Sequence, residues 1–324
     1  MGGDLRQGAD ARDSDDGVQG GEWPTVSAIV ATFNAEQHLA DAVASILEQD
    51  YPGELEVVIS DDGSTDETLS VANRLRLADS RVKIVGSRRN EGSAAARNRA
   101  LGVADGTYVA IQDADDISAP SRIRTLVREL EHRRSFGFAS SGLELFDERG
   151  VYSVQRARMA FPRRWAFTWG TPYAHGTTVF RSDSLVAVGG YRVAPETRRG
   201  QDYDLFMRLA AKGIYGVNLQ EVLYSYRVDR ETLKRRTLKA SLQNCVIRWK
   251  GFRSLGLMPW AVPFVLKPVA AQLVNKVRKA GMEARRRDPG GLGFGIGHYW
   301  PRELDRGFDL GESGRTSESN VCDD

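Results

Sequence analysis

Cysteine is almost missing from this chain of 324 residues: Cys245 and Cys322 are the only two, and they lie far apart. So little cysteine excludes a disulfide scaffold or a thiolate metal site, and it suits reduced thiols in a cytoplasmic protein. Long apolar runs are missing too. No stretch reaches the roughly 18 consecutive apolar residues of a membrane span. The first 22 residues are Gly-rich and acidic with no apolar centre, unlike a secretory signal. Neither sign of charge dominates, since 45 Lys and Arg against 43 Asp and Glu leave +2, so nothing points to nucleic acid. The first strand is not followed by a Gly-x-Gly-x-x-Gly turn, and no phosphate-binding Gly-Lys-Ser/Thr loop occurs. A phosphate-bearing ligand would need a different device.

What the chain does carry is a regular alternation. Residues 26–32, 55–60, 82–85 and 108–111 are short β-branched or aromatic runs that read as strands. Residues 36–48, 66–77, 93–103 and 121–132 read as helices, the first with Leu39, Val43, Ile46 and Leu47 on one face. Strands alternating with helices of this length predict an α/β fold, a doubly wound and mainly parallel sheet with flanking helices. Past residue 135 come short strands at 136–140, 142–146 and 151–154, then an aromatic-rich piece at 161–173. A short helix capped by Ser182 and stopped by Gly189-Gly190 follows, then an amphipathic helix over 201–210 and a strand at 222–228.

Ligands bind beyond the carboxyl ends of strands in such sheets. Polar clusters sit at three of those ends: Thr32-Phe33-Asn34, Asp61 to Asp66, and Gln112 to Asp116. Asp113 and Asp115 would point the same way if the strand ran on through them. Carboxylates massed there repel unless a cation, an arginine or water offsets their charge. One reading is a pair holding Mg2+ or Mn2+ on a phosphate-bearing ligand; the other is a solvated acidic turn.

Six segments in this order and spacing resemble the family 2 inverting glycosyltransferases of GT-A fold. They are Val26 to Asn34, Val57 to Asp66, Asn90-x-Gly92 with Ala96-Arg97-Asn98, Asp113-Ala114-Asp115, His175-Gly176 through Gly189-Gly190-Tyr191, and Gln201-Asp202-Tyr203-Asp204. The resemblance covers about residues 25 to 230. It implies a domain at 24–230, with a nucleotide-binding half at 24–118 and an acceptor half at 119–230. Thr32, Phe33, Asn34, Asp61 or Asp62, Asn90, Gly92 and Arg97 would line the donor nucleotide. Adjacent strand residues face opposite ways, so Asp61 and Asp62 are not both expected there. Asp113 and Asp115 would meet ribose, diphosphate and metal, with Asp115 the direct ligand of Mg2+ or Mn2+.

The resemblance makes Asp202 the general base, while a helix N-terminal acid favouring the dipole is its plainer role. Gln201 stands where the family more often has Glu. His175 and Gln201 would lie by the acceptor, and Asp204 reads as structural. Trp165, Trp169 and Tyr173 read mostly as packing. The implied partners are a nucleotide-sugar donor and a glycan or lipid-linked acceptor. A glycosyltransferase-like binder without turnover is the alternative.

Residues 231–283 form a basic, helix-rich appendage, with Pro259, Pro263 and Pro268 interrupting its apolar part. Two readings stay open: contact with an anionic membrane at the inner face of the plasma membrane, or packing against the core. Residues 1–23 and 284–324 read as disordered tails.

Overall fold

The computed structural model describes residues 21–228 and 238–272. The expectations for the tails fall almost wholly outside those residues. Strand β1 (Val26–Thr32) is the axis of the fold. It pairs in parallel with β2 (Leu55–Asp61) on one side and β4 (Tyr108–Asp113) on the other, and β3 (Val82–Gly86) extends the sheet beyond β2. Helices α1 (Leu39–Leu47), α2 (Thr68–Ala78) and α3 (Ser93–Leu101) make the crossovers. The sheet has nine strands in the order β3-β2-β1-β4-β8-β6-β9-β5, with β7 paired to β6. Here β5 is Ile117–Ser118, β6 Phe138–Asp147, β7 Gly150–Gln155, β8 Val179–Arg181 and β9 Gly216–Arg227. The mainly parallel α/β sheet expected from the sequence is what forms, with antiparallel pairing confined to β8, β5 and β7.

Alternate residues of β1 feed two cores. Val26, Ala28 and Val30 pack with α1, α2 and α4 (Arg122–His132), whose Ile123, Leu126, Val127 and Leu130 form one buried stripe. Ile29 faces the other core, filled by α3, α5 (Ser182–Ala187), α6 (Gln201–Ala211) and α7 (Leu238–Ser254). Burial on both faces is why the central strands are apolar throughout rather than alternating.

Several local expectations need correction. β6 is one strand where two were expected, because a register shift at Gly142 lets the ladder continue. Ser182 is the first residue of α5 and does not cap it; its hydroxyl donates to the Gly106 carbonyl. A two-residue strand, β5, lies between β4 and α4, where no element was expected. Trp165 and Trp169 are exposed, and only Tyr173 of that trio is buried. In the appendage, α7 packs on the core through Ile247 and Phe252.

Candidate active site

The carboxyl ends of β1 and β2 and the start of α3 border a cavity of about 620 Å3. Thr32, Phe33, Asp62, Asn90 and Gly92 line it, as do Ser93, Arg198, Lys239 and Gln243. Phe33 is 45% exposed, so a ring face is free to stack on a flat ligand. Thr32 is buried with its hydroxyl unpaired among the described residues.

The acids at these strand ends are already held. Asp61 is buried, accepting from the Ser64 hydroxyl at 2.5 Å and the Ser64 amide at 3.2 Å. It thereby shapes the turn that follows β2 and does not line the cavity. Asp62 accepts from the Gly92 amide at 2.7 Å, the Glu91 amide at 3.1 Å and Arg99 Nη2 at 2.6 Å. It ties the second strand to the start of α3, where Gly92 adopts φ +97. Asn34, in the left-handed region at φ 53, also lies behind the cavity wall; its Oδ1 accepts from the Thr65 amide at 2.9 Å. Asn90 Oδ1 accepts from Arg198 Nη2 at 3.3 Å.

Beside the cavity lies a second group, centred on Arg97. Arg97 is buried, donates to Asp113 Oδ1 at 2.6 Å, and lies over the Tyr191 ring at 5.7 Å. Asp202, the second residue of α6, senses both charges. Burial raises its carboxyl pKa above the ordinary value; Asp113 adds to the rise, while Arg97 and the Tyr203 amide oppose it. No side chain donates to Asp202 among the described residues. His175 Nε2 lies 2.8 Å from the Tyr191 hydroxyl. Burial first, then Arg97's charge, push this imidazole down to about 3, so it is neutral at physiological pH. Gln201 Nε2 donates to Ser93 Oγ at 2.6 Å, joining the start of α6 to the cavity rim. Two glycines permit these approaches. A β-carbon at Gly176 would come within 3.3 Å of Asp113 Oδ2, and one at Gly200 within 3.0 Å of Ile247 Cδ1.

The strand ends at Asp113, so Asp115 falls in the following turn and the extended path expected through both residues stops short. Asp115 is exposed. Protein nevertheless surrounds it closely enough that burial, then Asp113's charge, raise its pKa. Asp116 is fully buried and pushed up to about 8 by burial, then by Asp113 and Asp115; its Oδ1 accepts from the Arg227 amide at 2.7 Å. Among the described residues no three His, Cys, Asp or Glu side chains gather into a cage for a metal. Mg2+ needs no such cage when phosphates complete its shell, and one or two carboxylates suffice. Asp113 and Asp115, two neighbouring acids whose mutual repulsion a cation would relieve, fit that role.

Sequence reasoning missed Arg122. It is fully buried and donates to the Ile111 carbonyl at 2.5 Å, the Gly176 carbonyl at 3.0 Å and Ser118 Oγ at 2.7 Å. It lies over the Tyr224 ring at 4.9 Å, and the Tyr224 hydroxyl accepts from the Asp113 amide at 3.1 Å. Burial pushes the guanidinium down to about 10. Its charge reaches Asp113 and Asp116 without a direct bond to either. Arg198, Lys239 and Gln243 were also missed, because a tertiary contact alone brings them to the cavity.

The profile of "Glycosyl transferase family 2" matches residues 27–187. EpsE of Bacillus subtilis, a protein named as a glycosyltransferase, is 36% identical over 79% of this chain and 94% of its own length. WfaP of Escherichia coli, named as a UDP-Glc:alpha-D-GlcNAc-diphosphoundecaprenol beta-1,3-glucosyltransferase, is 26% identical over 71% of this chain and 88% of its own. Among solved structures, the mannosyltransferase PcManGT of Pyrobaculum calidifontis, in complex with GDP-Man and Mn2+, has the same fold. Its TM-score is 0.57 at 24% identity, covering 82% of this chain and 81% of that one. The extent of the EpsE match and the family profile settle the assignment: this chain belongs to glycosyl transferase family 2.

Proposed function

We propose that the chain is an inverting, metal-assisted hexosyltransferase. The donor is a nucleoside-diphosphate sugar, and the acceptor is a hydroxyl of a glycan or lipid-linked glycan at the cytoplasmic face of the membrane. Asp202 is the base. It takes the proton of the acceptor hydroxyl as that oxygen bonds to the anomeric carbon, and the bond from that carbon to the diphosphate oxygen breaks on the opposite face. The observation that carries this reading is the state of Asp202: a carboxylate with a raised pKa and no side-chain donor, beside Arg97 and Asp113. A base with a raised pKa accepts a proton more readily.

Thr32, Phe33, Asp62, Asn90 and Gly92 support the nucleoside. Phe33 offers a ring to the base, while Asp61 and Asn34 hold the loops behind it. Asp115, with Asp113, would hold Mg2+ or Mn2+, which when bound offsets the charge gathering on the departing diphosphate. Arg97 keeps Asp113 in place and leaves Asp202 ionisable. His175 is a neutral hydrogen-bonding group for the sugar or acceptor, and Gln201 orients the start of α6. A glycan-building role agrees with the activity for which WfaP is named, and a divalent metal with the Mn2+ of PcManGT. The deciding experiment compares transfer and nucleoside-diphosphate binding in the wild type and Asp202→Asn. Loss of transfer with binding retained is expected; transfer at the wild-type rate would end Asp202's role as base.

A further inference from the structure

Away from the donor cavity, a surface around residues 161–169 and 256–267 is used by nothing described above. Its centre is a cleft of about 690 Å3 whose wall includes Arg133, Phe161, Arg163, Arg164 and Trp165, and which no carboxylate lines. Phe161 stacks on Phe136 at 5.6 Å, with the Arg133 guanidinium 5.2 Å from its ring centre. The surface continues past Gly256, within 3.8 Å of Arg164 Nη1 if it bore a β-carbon, to helix α8 (Val262–Val265). There Trp169 meets Phe264 edge-on at 5.1 Å and carries Lys267 Nζ 5.0 Å from its ring.

Large apolar groups stand in water here. Trp260 is 87% exposed, Trp169 63% and Leu266 61%. No Asp or Glu occurs between Glu148 and Asp183, nor between Glu231 and Glu283. Arg133 is paired with Glu129 at 2.6 Å, but exposed tryptophans beside Arg163, Arg164 and Lys267, on two stretches without acids, match the interfacial layer of an anionic bilayer, where amphipathic rings and lipid phosphates coexist.

The position is as telling as the composition. Buried Arg248 donates to the carbonyls of Thr168 at 3.1 Å and Phe264 at 3.2 Å, fastening the two parts of this surface together. The Tyr203 hydroxyl donates to the Phe167 carbonyl, so the residue next to Asp202 is bonded into the same piece of chain as Trp165 and Trp169. The surface is thus tied to α6, the helix that carries Asp202.

We infer that this face seats the enzyme on an anionic lipid surface, with Trp165, Trp169 and Trp260 entering the headgroup layer and Arg163, Arg164 and Lys267 meeting lipid phosphates. A lipid-linked acceptor would then be held in the same membrane as the enzyme. The inference deepens the hexosyltransferase reading and rests on its lipid-linked acceptor.

The test is co-sedimentation of the full chain with vesicles of phosphatidylcholine alone and of equimolar phosphatidylcholine and phosphatidylglycerol. The wild type should sediment with the anionic vesicles and be released by salt. Arg163→Gln with Arg164→Gln should weaken that binding roughly tenfold or more, and Trp165→Ser with Trp260→Ser should weaken it comparably. Both pairs change exposed side chains, and their melting temperatures and nucleoside-diphosphate binding should match the wild type. Three results overturn the inference: no sedimentation, sedimentation indifferent to phosphatidylglycerol, or variants that bind like the wild type. A wild type that stays off vesicles but forms a dimer lost in the Trp165/Trp260 variant would instead make this face a contact between copies. Failure with vesicles while a nucleoside diphosphate still binds leaves the glycosyltransferase reading standing, whereas absent nucleotide binding counts against that reading.

Discussion

The strand ends of the donor half and the start of α6 hold their acids in opposite ways. Asp61, Asp62 and Asp113 each accept strong hydrogen bonds from within the chain: Ser64 holds the first, Gly92 and Arg99 the second, Arg97 the third. Asp202 has no such side-chain donor. Carboxylates held by donors within the chain shape a cavity without reorganising when ligand enters. A carboxylate left without one, and with a raised pKa, is free to exchange a proton. On the proposed reading, one region binds and the other reacts.

Asp202→Asn is the largest break between the two. Transfer should fall by about 10²–10⁴-fold, the usual worth of a general base, while nucleoside-diphosphate binding is unchanged. The pH profile gives the sign. The base must be ionised, and its pKa is raised, so kcat/KM should climb with pH through a midpoint above the ordinary carboxylate range. A profile flat from pH 4 upward would remove Asp202 from the proton transfer. Asp115→Ala should act on the binding side instead. A nucleoside diphosphate at about 100 Kd stabilises a protein by roughly 2.7 kcal/mol. The wild type should gain this only with Mg2+ or Mn2+, and the variant should lose most of it in a thermal-shift titration. Equal shifts with and without metal would detach Asp115 from the diphosphate.

Asp62→Ala tests whether the held acids are structural props of the cavity. It leaves the Glu91 and Gly92 amides and one Arg99 bond unmatched, at a cost of about 2 kcal/mol in denaturant unfolding. The start of α3 should loosen and nucleoside binding weaken with it. A stable variant that still binds nucleoside normally would show the Gly92 turn to be set by other contacts.

The difference between the regions was legible only in part. The strand-end clusters were readable because the sheet's alternation fixes which ends face the ligand, and the mainly parallel order of β3, β2, β1 and β4 followed from helix-length crossovers. Asp202 was placed by resemblance, since an acid at a helix N-terminus has a sufficient local reason to be there. The state of each acid was not readable. Whether Asp61 faces ligand or Ser64 depends on a turn three residues long, and the environment of Asp202 depends on Arg97, more than a hundred residues away. Arg122 escaped notice because its partners are mostly backbone carbonyls, which leave no mark on sequence. The exposure of Trp165 and Trp169 was likewise invisible, for aromatic residues carry the same letters inside and out.

Lys239 is the smallest probe and the one that asks where the binding region ends. It lies on α7, outside the residues that match the family profile, yet it lines the donor cavity with Gln243 and Arg198. Arg198 bonds the neutral Asn90 side chain, and Asp62, the one carboxylate among the described lining residues, is already paired with Arg99. A diphosphate would bring the sign opposite to that of Arg198 and Lys239. Lys239 is solvent-exposed, so its contribution is that of a surface pair, roughly 0.2–1 kcal/mol and at most about fivefold in affinity. Lys239→Ala should weaken a nucleoside diphosphate by that much, more at low salt than at high, and leave the bare nucleoside unaffected. Calorimetric titration of both ligands separates the outcomes: an equal loss for the nucleoside would mean that α7 supports the wall rather than the phosphates, and no loss would confine donor binding to the strand ends.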